Sequence, residues 1–140
     1  MRWLALAVAA TGLAGCVVES RNSTEGEVFG DVTFYWTFGQ DRKSCSQTPE
    51  VQLIKINIWD GNGTPQTLLD ENGTATPYRK CNPYNVDGTT FLDFAPGHYS
   101  FTLAGVDASH QVLYAANGTF YVNGSVERDV NLVQVLQVNP

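Results

Sequence analysis

The sequence predicts an all-β domain, a sandwich of about seven strands that follows an N-terminal export segment. Two observations carry this reading. From residue 27 onward, apolar residues recur at every second position in short runs, the period of a half-buried strand. Clusters of Gly, Pro, Asn and Asp punctuate those runs, and nothing after the export segment keeps the 3.6-residue period of a helix.

The chain opens with Met1-Arg2, an almost wholly apolar run from Trp3 to Ala10, a break at Thr11-Gly12, and then Leu13-Ala14-Gly15-Cys16. A charged start, a short apolar segment and small residues at its end form a secretory signal. Trp3 to Val18 covers about 16 positions, short of the roughly 18–20 apolar residues of a spanning helix. The polar run Glu19-Ser20-Arg21-Asn22-Ser23 then ends it. Leu13-Ala14-Gly15-Cys16 resembles the lipobox of bacterial lipoproteins, whose cysteine is acylated and becomes the first residue after cleavage. The resemblance implies that residues 1–15 are a signal peptide and that Cys16 carries lipid. It also implies a cell-envelope location, and Val17 in place of an aspartate implies the outer membrane. Several acyl chains anchor firmly, because each buried methylene adds about 0.8 kcal/mol while one chain alone is marginal. Residues 16–26 then comprise the lipidated cysteine and a flexible tether, polar and without period after Val17-Val18. The sandwich domain occupies residues 27–140.

Charge excludes some partners. The chain carries 8 basic against 14 acidic residues, a net charge of −6, and loss of Arg2 with the signal makes it more acidic. Such a chain, with no basic run, is no partner for nucleic acid. Anionic lipid would also repel it, so the acyl group must do the anchoring. Its length suits one domain with an adequate core. With Cys16 assigned to lipid, Cys45 and Cys81 remain, in a compartment that permits disulfides. A bridge between them closes a loop of about 37 residues, worth about 3–4 kcal/mol on the chain-entropy model. Two free thiols are the disfavoured alternative outside the cytoplasm. A zinc site lacks both a Cys-x-x-Cys and a histidine pair.

Taken in order, Val32, Phe34, Trp36 and Phe38 alternate with Thr33, Tyr35 and Thr37, which predicts the first strand. Residues 51–59 (VQLIKINIW) predict the second, with Ile54, Ile56 and Ile58 inward. Leu53 and Trp59 share the outward parity of Lys55 and Asn57. Asp60-Gly61-Asn62-Gly63 ends that strand with residues that tolerate positive φ. A short strand is expected over Gln66–Asp70, then a turn at Glu71-Asn72-Gly73. Residues 74–90 hold Cys81 and little periodicity, an irregular excursion pinned by the disulfide. Two hairpins are expected next: Thr89–Phe94 with Tyr99–Val106 across Ala95-Pro96-Gly97, and Gln111–Ala115 with Thr119–Val122 across Asn117-Gly118. A last strand spans Val126–Val133, with Val126, Arg128, Val130 and Leu132 on one face.

The segment from Phe91 to Phe101 (FLDFAPGHYSF) resembles the aliphatic–Pro–Gly–x–Tyr hairpin of transthyretin-like and carboxypeptidase-regulatory-like domains. That branch of antiparallel Ig-like sandwiches implies an inward tyrosine after the turn, here Tyr99. It implies an accessory or adhesive module rather than an enzyme.

The chemistry-bearing residues support no catalytic motif. Asp60, Asn62, Thr64 and Glu71 echo the ligand positions of an EF-hand loop, but Pro65 stands where glycine is needed and no helices flank it. No metal and no cofactor is expected. His98 and His110 sit beside turns without partner ligands, and no nucleophile elbow, zinc-helix motif or phosphate loop occurs. Asn62 and Asn72 lie in glycosylation-type sequons with an aspartate two residues earlier, a pattern that Asn-Gly turns also generate. Tyr35 and Trp59 have outward parity, and Tyr78 and Tyr84 flank Arg79-Lys80 in the excursion. Tyr78, Arg79, Lys80 and Tyr84 therefore form the candidate surface for an envelope protein or a glycan, against the alternative that these rings cover open faces. The function read from sequence is a lipid-anchored, non-catalytic structural or binding domain. The competing reading is an envelope hydrolase or calcium-dependent enzyme whose site assembles only in three dimensions.

Overall fold

The structure is a computed structural model that describes residues 27–135. The signal, the lipobox cysteine and the tether lie outside the described residues. Seven strands form: β1 Gly30–Phe38, β2 Leu53–Asp60, β3 Tyr78–Lys80, β4 Gly88–Phe94, β5 Gly97–Val106, β6 Val112–Val122 and β7 Val126–Gln134. A single 3₁₀ turn at Cys45–Gln47 is the only helical element among the described residues.

The strands join in the order β3-β2-β5-β6-β7-β1-β4. All neighbours are antiparallel except β1 and β7, which run parallel, so the sheet is mixed where an antiparallel one was expected. β6 and β7 pair only at Tyr114↔Gln134 and Ala115↔Val133 and splay apart toward their connecting turn. The sheet folds over itself there. β3-β2-β5-β6 make one layer and β7-β1-β4 the other, which leaves β3 and β4 as the two free edges.

The core fills the space between the layers. The alternating stripe of β1 is fully covered, with Val32, Phe34, Trp36 and Phe38 at most 1% exposed. Phe34 meets Phe101 of β5 at 5.0 Å and Phe120 of β6 at 5.8 Å between ring centroids. Ile54, Ile56 and Ile58 of β2 and Leu132 of β7 complete it. Burying each such side chain contributes roughly 1.5–3 kcal/mol. Cys45 and Cys81 are bonded and fully buried, as the cysteine count implied. The Trp36 indole N–H lies beside this bridge and donates to Val86 O at 3.0 Å. Asn82, next to Cys81, donates through Nδ2 to the carbonyls of Cys45, Thr48 and Val51 at 2.6–2.9 Å. Disulfide and amide together clamp the β1–β2 connection to the excursion.

Three expected elements differ. Gln66–Asp70 forms no strand, only isolated bridges at Trp59↔Pro65 and Leu69↔Ala75, because Asp-turns on both sides hold it as a loop. Ala95-Pro96 joins no hairpin: β4 pairs with β1 and β5 with β2 and β6, so this segment crosses between layers. Tyr99 is nonetheless inward, at 6% exposure, and its hydroxyl donates to Ala95 O at 2.7 Å, tying the crossover down. Asn117-Gly118 is not a turn either, since β6 runs straight through it. Gly118 sits opposite Phe101, and a Cβ there would lie 2.9 Å from that ring. The glycine makes space for an aromatic ring rather than a reversal of the chain. The actual β5–β6 turn is Asp107-Ala108-Ser109-His110.

Candidate binding groove

The two free edges face each other across a groove. One wall is the loop from Thr67 to Gly73 together with β3, and the other is β4. The cavity volume is about 1000 Å³, at the upper end of the ligand-site range. A smaller recess of about 220 Å³ lies beside Trp59 and Gln66.

Arg79 forms the floor. It pairs with Ile54 in the β2–β3 ladder and so shares that residue's inward face. Its Nε donates to Thr89 Oγ1 at 3.2 Å, Nη1 to Tyr78 O at 2.8 Å and Thr76 O at 3.3 Å, and Nη2 to Leu69 O at 2.7 Å. The guanidinium carbon lies 4.6 Å from the centroid of the Phe91 ring, a cation–π distance. Burial lowers the Arg79 pKa, while the Asp70 and Glu71 carboxylates act to raise it. These bonds join the loop, β3 and β4, so Arg79 braces the groove and has little capacity left for an anion.

The rim is apolar. Leu69 is 53% exposed, Tyr84 60% and Leu92 68%, and all three line this groove. Asp70, Glu71 and Asp93 add carboxylates to the same walls. Concentration of exposed large apolar side chains on one concave surface marks an interaction site, where scattered ones do not.

The four residues singled out in sequence all line this groove, in different roles. Arg79 is the buried brace. Lys80 holds its Nζ 4.5 Å over the Tyr84 ring. The Tyr78 ring stacks on His110 at 5.1 Å and 18°, a contact with the β5–β6 turn. Of the other outward aromatics, Tyr35 lies against Gly88, whose Cβ would come within 2.9 Å of it. The periodicity gave no notice of Leu69 and Leu92. Each sat inside a segment assigned to a regular strand or hairpin arm, where an apolar residue draws no attention.

The candidate calcium loop resolves into turn chemistry. Asp60 Oδ1 accepts the N–H groups of Asn62 and Thr64, both at 2.9 Å. Asp70 does the same for Asn72 and Thr74, and Asp107 for Ser109 and Gln111. The fourth residue of each turn, Gly63, Gly73 or His110, has φ between 64° and 82°. The Asp-x-Asn-Gly-Thr pattern therefore encodes one turn used twice, and the third copy has the same geometry without the sequon. Among the described residues no cluster of three or more His, Cys, Asp or Glu could hold a metal. His98 packs on Tyr121 at 4.6 Å, and His110 lies beyond the opposite end of β5, roughly 30 Å along the strand direction at 3.4 Å per residue. The histidines do not share a site.

No protein-family model matches the chain, and no curated protein matches it. Among solved structures, it is similar to a cysteine-to-alanine mutant of the pilus-presented adhesin Cpa, at 12% identity and a TM-score of 0.40. That likeness covers 86% of this chain and 31% of the adhesin, so the chain spans about a third of the adhesin's length.

Proposed function

We propose that this protein is a non-catalytic binding domain, displayed at a bacterial cell surface by lipid on Cys16, and that the groove between β3 and β4 is its binding surface. One observation carries the reading of the groove: Leu69, Tyr84 and Leu92 are all held exposed around a single trough that Arg79 keeps open. Leaving them in water forgoes burial, and a partner recovers it on binding. The brace at the floor means that the trough is preformed, which reduces the ordering cost of association.

The non-catalytic reading is supported by how the chemistry-bearing groups are used. The Asp60, Asp70 and Asp107 carboxylates hold turns, and each histidine packs on a tyrosine. The lipid anchor rests on the resemblance of Leu13-Ala14-Gly15-Cys16 to a lipobox.

Two measurements test the proposal. Metabolic labelling with palmitate should mark the wild-type chain and not Cys16→Ser, and an unlabelled, freely soluble wild type would remove the anchor. Probing glycan and peptide arrays with the full chain should give ligands weakened by Leu92→Lys and Tyr84→Ala but not by Tyr121→Ala, an exposed ring that does not line the groove. Ligands sensitive only to Tyr121→Ala would move the binding surface elsewhere.

A further inference from the structure

We infer that the occupant of the groove is an extended polypeptide segment that adds as a strand to the free edge of β4. This rests on the reading of the groove as the binding surface and narrows its ligand to one class.

The two edges are not equivalent. Beside β4, Trp36 N–H donates to Asp87 O at 3.0 Å, and the register continues Tyr35↔Gly88, Phe34↔Thr89, Thr33↔Thr90 and Val32↔Phe91. In an antiparallel ladder, pairs that exchange backbone bonds alternate with pairs whose groups point away. Asp87, Thr89 and Phe91 therefore direct their backbone groups to β1, while Gly88 and Thr90 turn theirs to the open side. On β3 the outward groups of Tyr78 are already used, its N–H by Thr76 Oγ1 at 3.2 Å and its C=O by Arg79 Nη1 at 2.8 Å. The β3 edge is capped at Tyr78, whereas the β4 edge presents both Gly88 and Thr90.

The spacing admits at most one strand. Arg79 Nε reaches Thr89 Oγ1 across the gap between the edges. At full reach an arginine stem, the bond and a threonine hydroxyl span roughly 10 Å, an upper bound on the gap that is about twice the 4.8 Å separation of paired strands. A segment lying there would cover the Arg79–Phe91 stack and would supply partners to Gly88 and Thr90. Its alternate side chains would meet Leu92, Leu69 and Tyr84, the arrangement by which edge-adding peptides gain specificity. Asp70, Glu71 and Asp93 put three carboxylates on these walls, the Asp70 group also holding its own turn, whereas the Arg79 charge is held by carbonyls. Charge complementarity therefore favours lysine or arginine between the apolar positions. The residues that lead into β1 are drawn elsewhere: Val28 N–H donates to Asn123 Oδ1, and Val28 O accepts from Gly124 N, both at 3.0 Å. This holds the entering chain at the β6–β7 turn and points to a separate polypeptide as the occupant.

The probe is a library of random decapeptides displayed on phage and selected against the full-length chain. Enriched sequences should alternate apolar residues with lysine or arginine. They should slow amide exchange at Gly88 and Thr90 by roughly tenfold or more, because a new backbone bond protects each group. Methylating the two peptide nitrogens that donate to Gly88 and Thr90 should cost roughly tenfold or more in affinity, two lost bonds. Peptides that are weakened by Leu92→Lys, yet leave Gly88 and Thr90 exchange unchanged and tolerate N-methylation, would overturn strand addition and keep the groove. Failure to enrich any sequence would also overturn it. Peptides indifferent to Leu92→Lys and Tyr84→Ala would overturn the groove itself.

Discussion

Gly118→Ala tests the path of β6 through the core. A Cβ at this position would lie 2.9 Å from Cζ and 3.0 Å from Cε2 of Phe101, well inside the 3.5–4.0 Å of a relaxed carbon contact. The ring cannot swing clear. Phe101 is 2% exposed, with Phe34 at 5.0 Å and Phe120 at 6.1 Å between centroids. Either Phe101 leaves its rotamer or β5 and β6 shift, and overpacking of this kind costs about 1–3 kcal/mol. For a domain of this size that is a fall in Tm of about 5–15 °C. Gly118 is not among the positive-φ glycines, so backbone strain adds nothing. The assay is thermal unfolding of wild type, Gly118→Ala, Phe101→Leu and the double variant. Leucine withdraws the far edge of the ring, so the double variant should lose less than the two single losses together, a coupling of about 1 kcal/mol. Strictly additive losses, or a Tm within about 2 °C of wild type for Gly118→Ala, would refute the placement of Phe101 over Gly118.

Other predictions follow from the turns, the clamp and the buried tyrosines. Replacing Cys45 and Cys81 together by serine should cost about 3–4 kcal/mol by denaturant titration, and full retention of stability would contradict the bridge. Asp60→Ala strands the N–H groups of Asn62 and Thr64 and should cost about 1 kcal/mol, while Asp60→Asn keeps an acceptor oxygen and should be nearly neutral. Tyr99 and Tyr114 are held above the ordinary phenol value by burial first, then by Asp60 and Glu50 respectively. The folded state binds these protons more tightly than the unfolded one. The stability they contribute is thus complete below the unfolded value near 10 and is lost as pH rises above it. Denaturant midpoints should fall on that alkaline limb, and Tyr99→Phe should reduce the slope; an unchanged slope would count against the shift.

Much of the strand pattern was legible, because burial on one face writes a period of two into the residues. β1, β2 and β7 show it, and their inward residues Phe34, Ile56 and Leu132 are where alternation put them. The cysteine pair was legible by count. Glycine misled twice, in one direction. Asn117-Gly118 and Pro96-Gly97 have hairpin composition, but the first glycine accommodates a cross-strand ring and the second begins β5 after a crossover, with φ of 145°. Local composition carries no record of which distant ring will need space. The same limit hid half of the groove. Tyr78, Arg79, Lys80 and Tyr84 stood out as aromatics beside cations within one short segment. Leu69 comes from one loop and Phe91 and Leu92 from β4, and only the topology that makes β3 and β4 facing edges brings these segments to Tyr78–Tyr84. Arg79 was legible as a residue of interest, but its role was not. It reads as a ligand-binding cation in sequence and acts as a brace in the fold.

The most direct test of the groove is site-specific photo-crosslinking in cells that express the protein. A benzophenone side chain placed at Leu92 should yield a discrete polypeptide adduct, and the same group at Tyr121, exposed but outside the groove lining, should yield none. An adduct from Tyr121 with none from Leu92 would contradict the assignment of binding to the trough between β3 and β4.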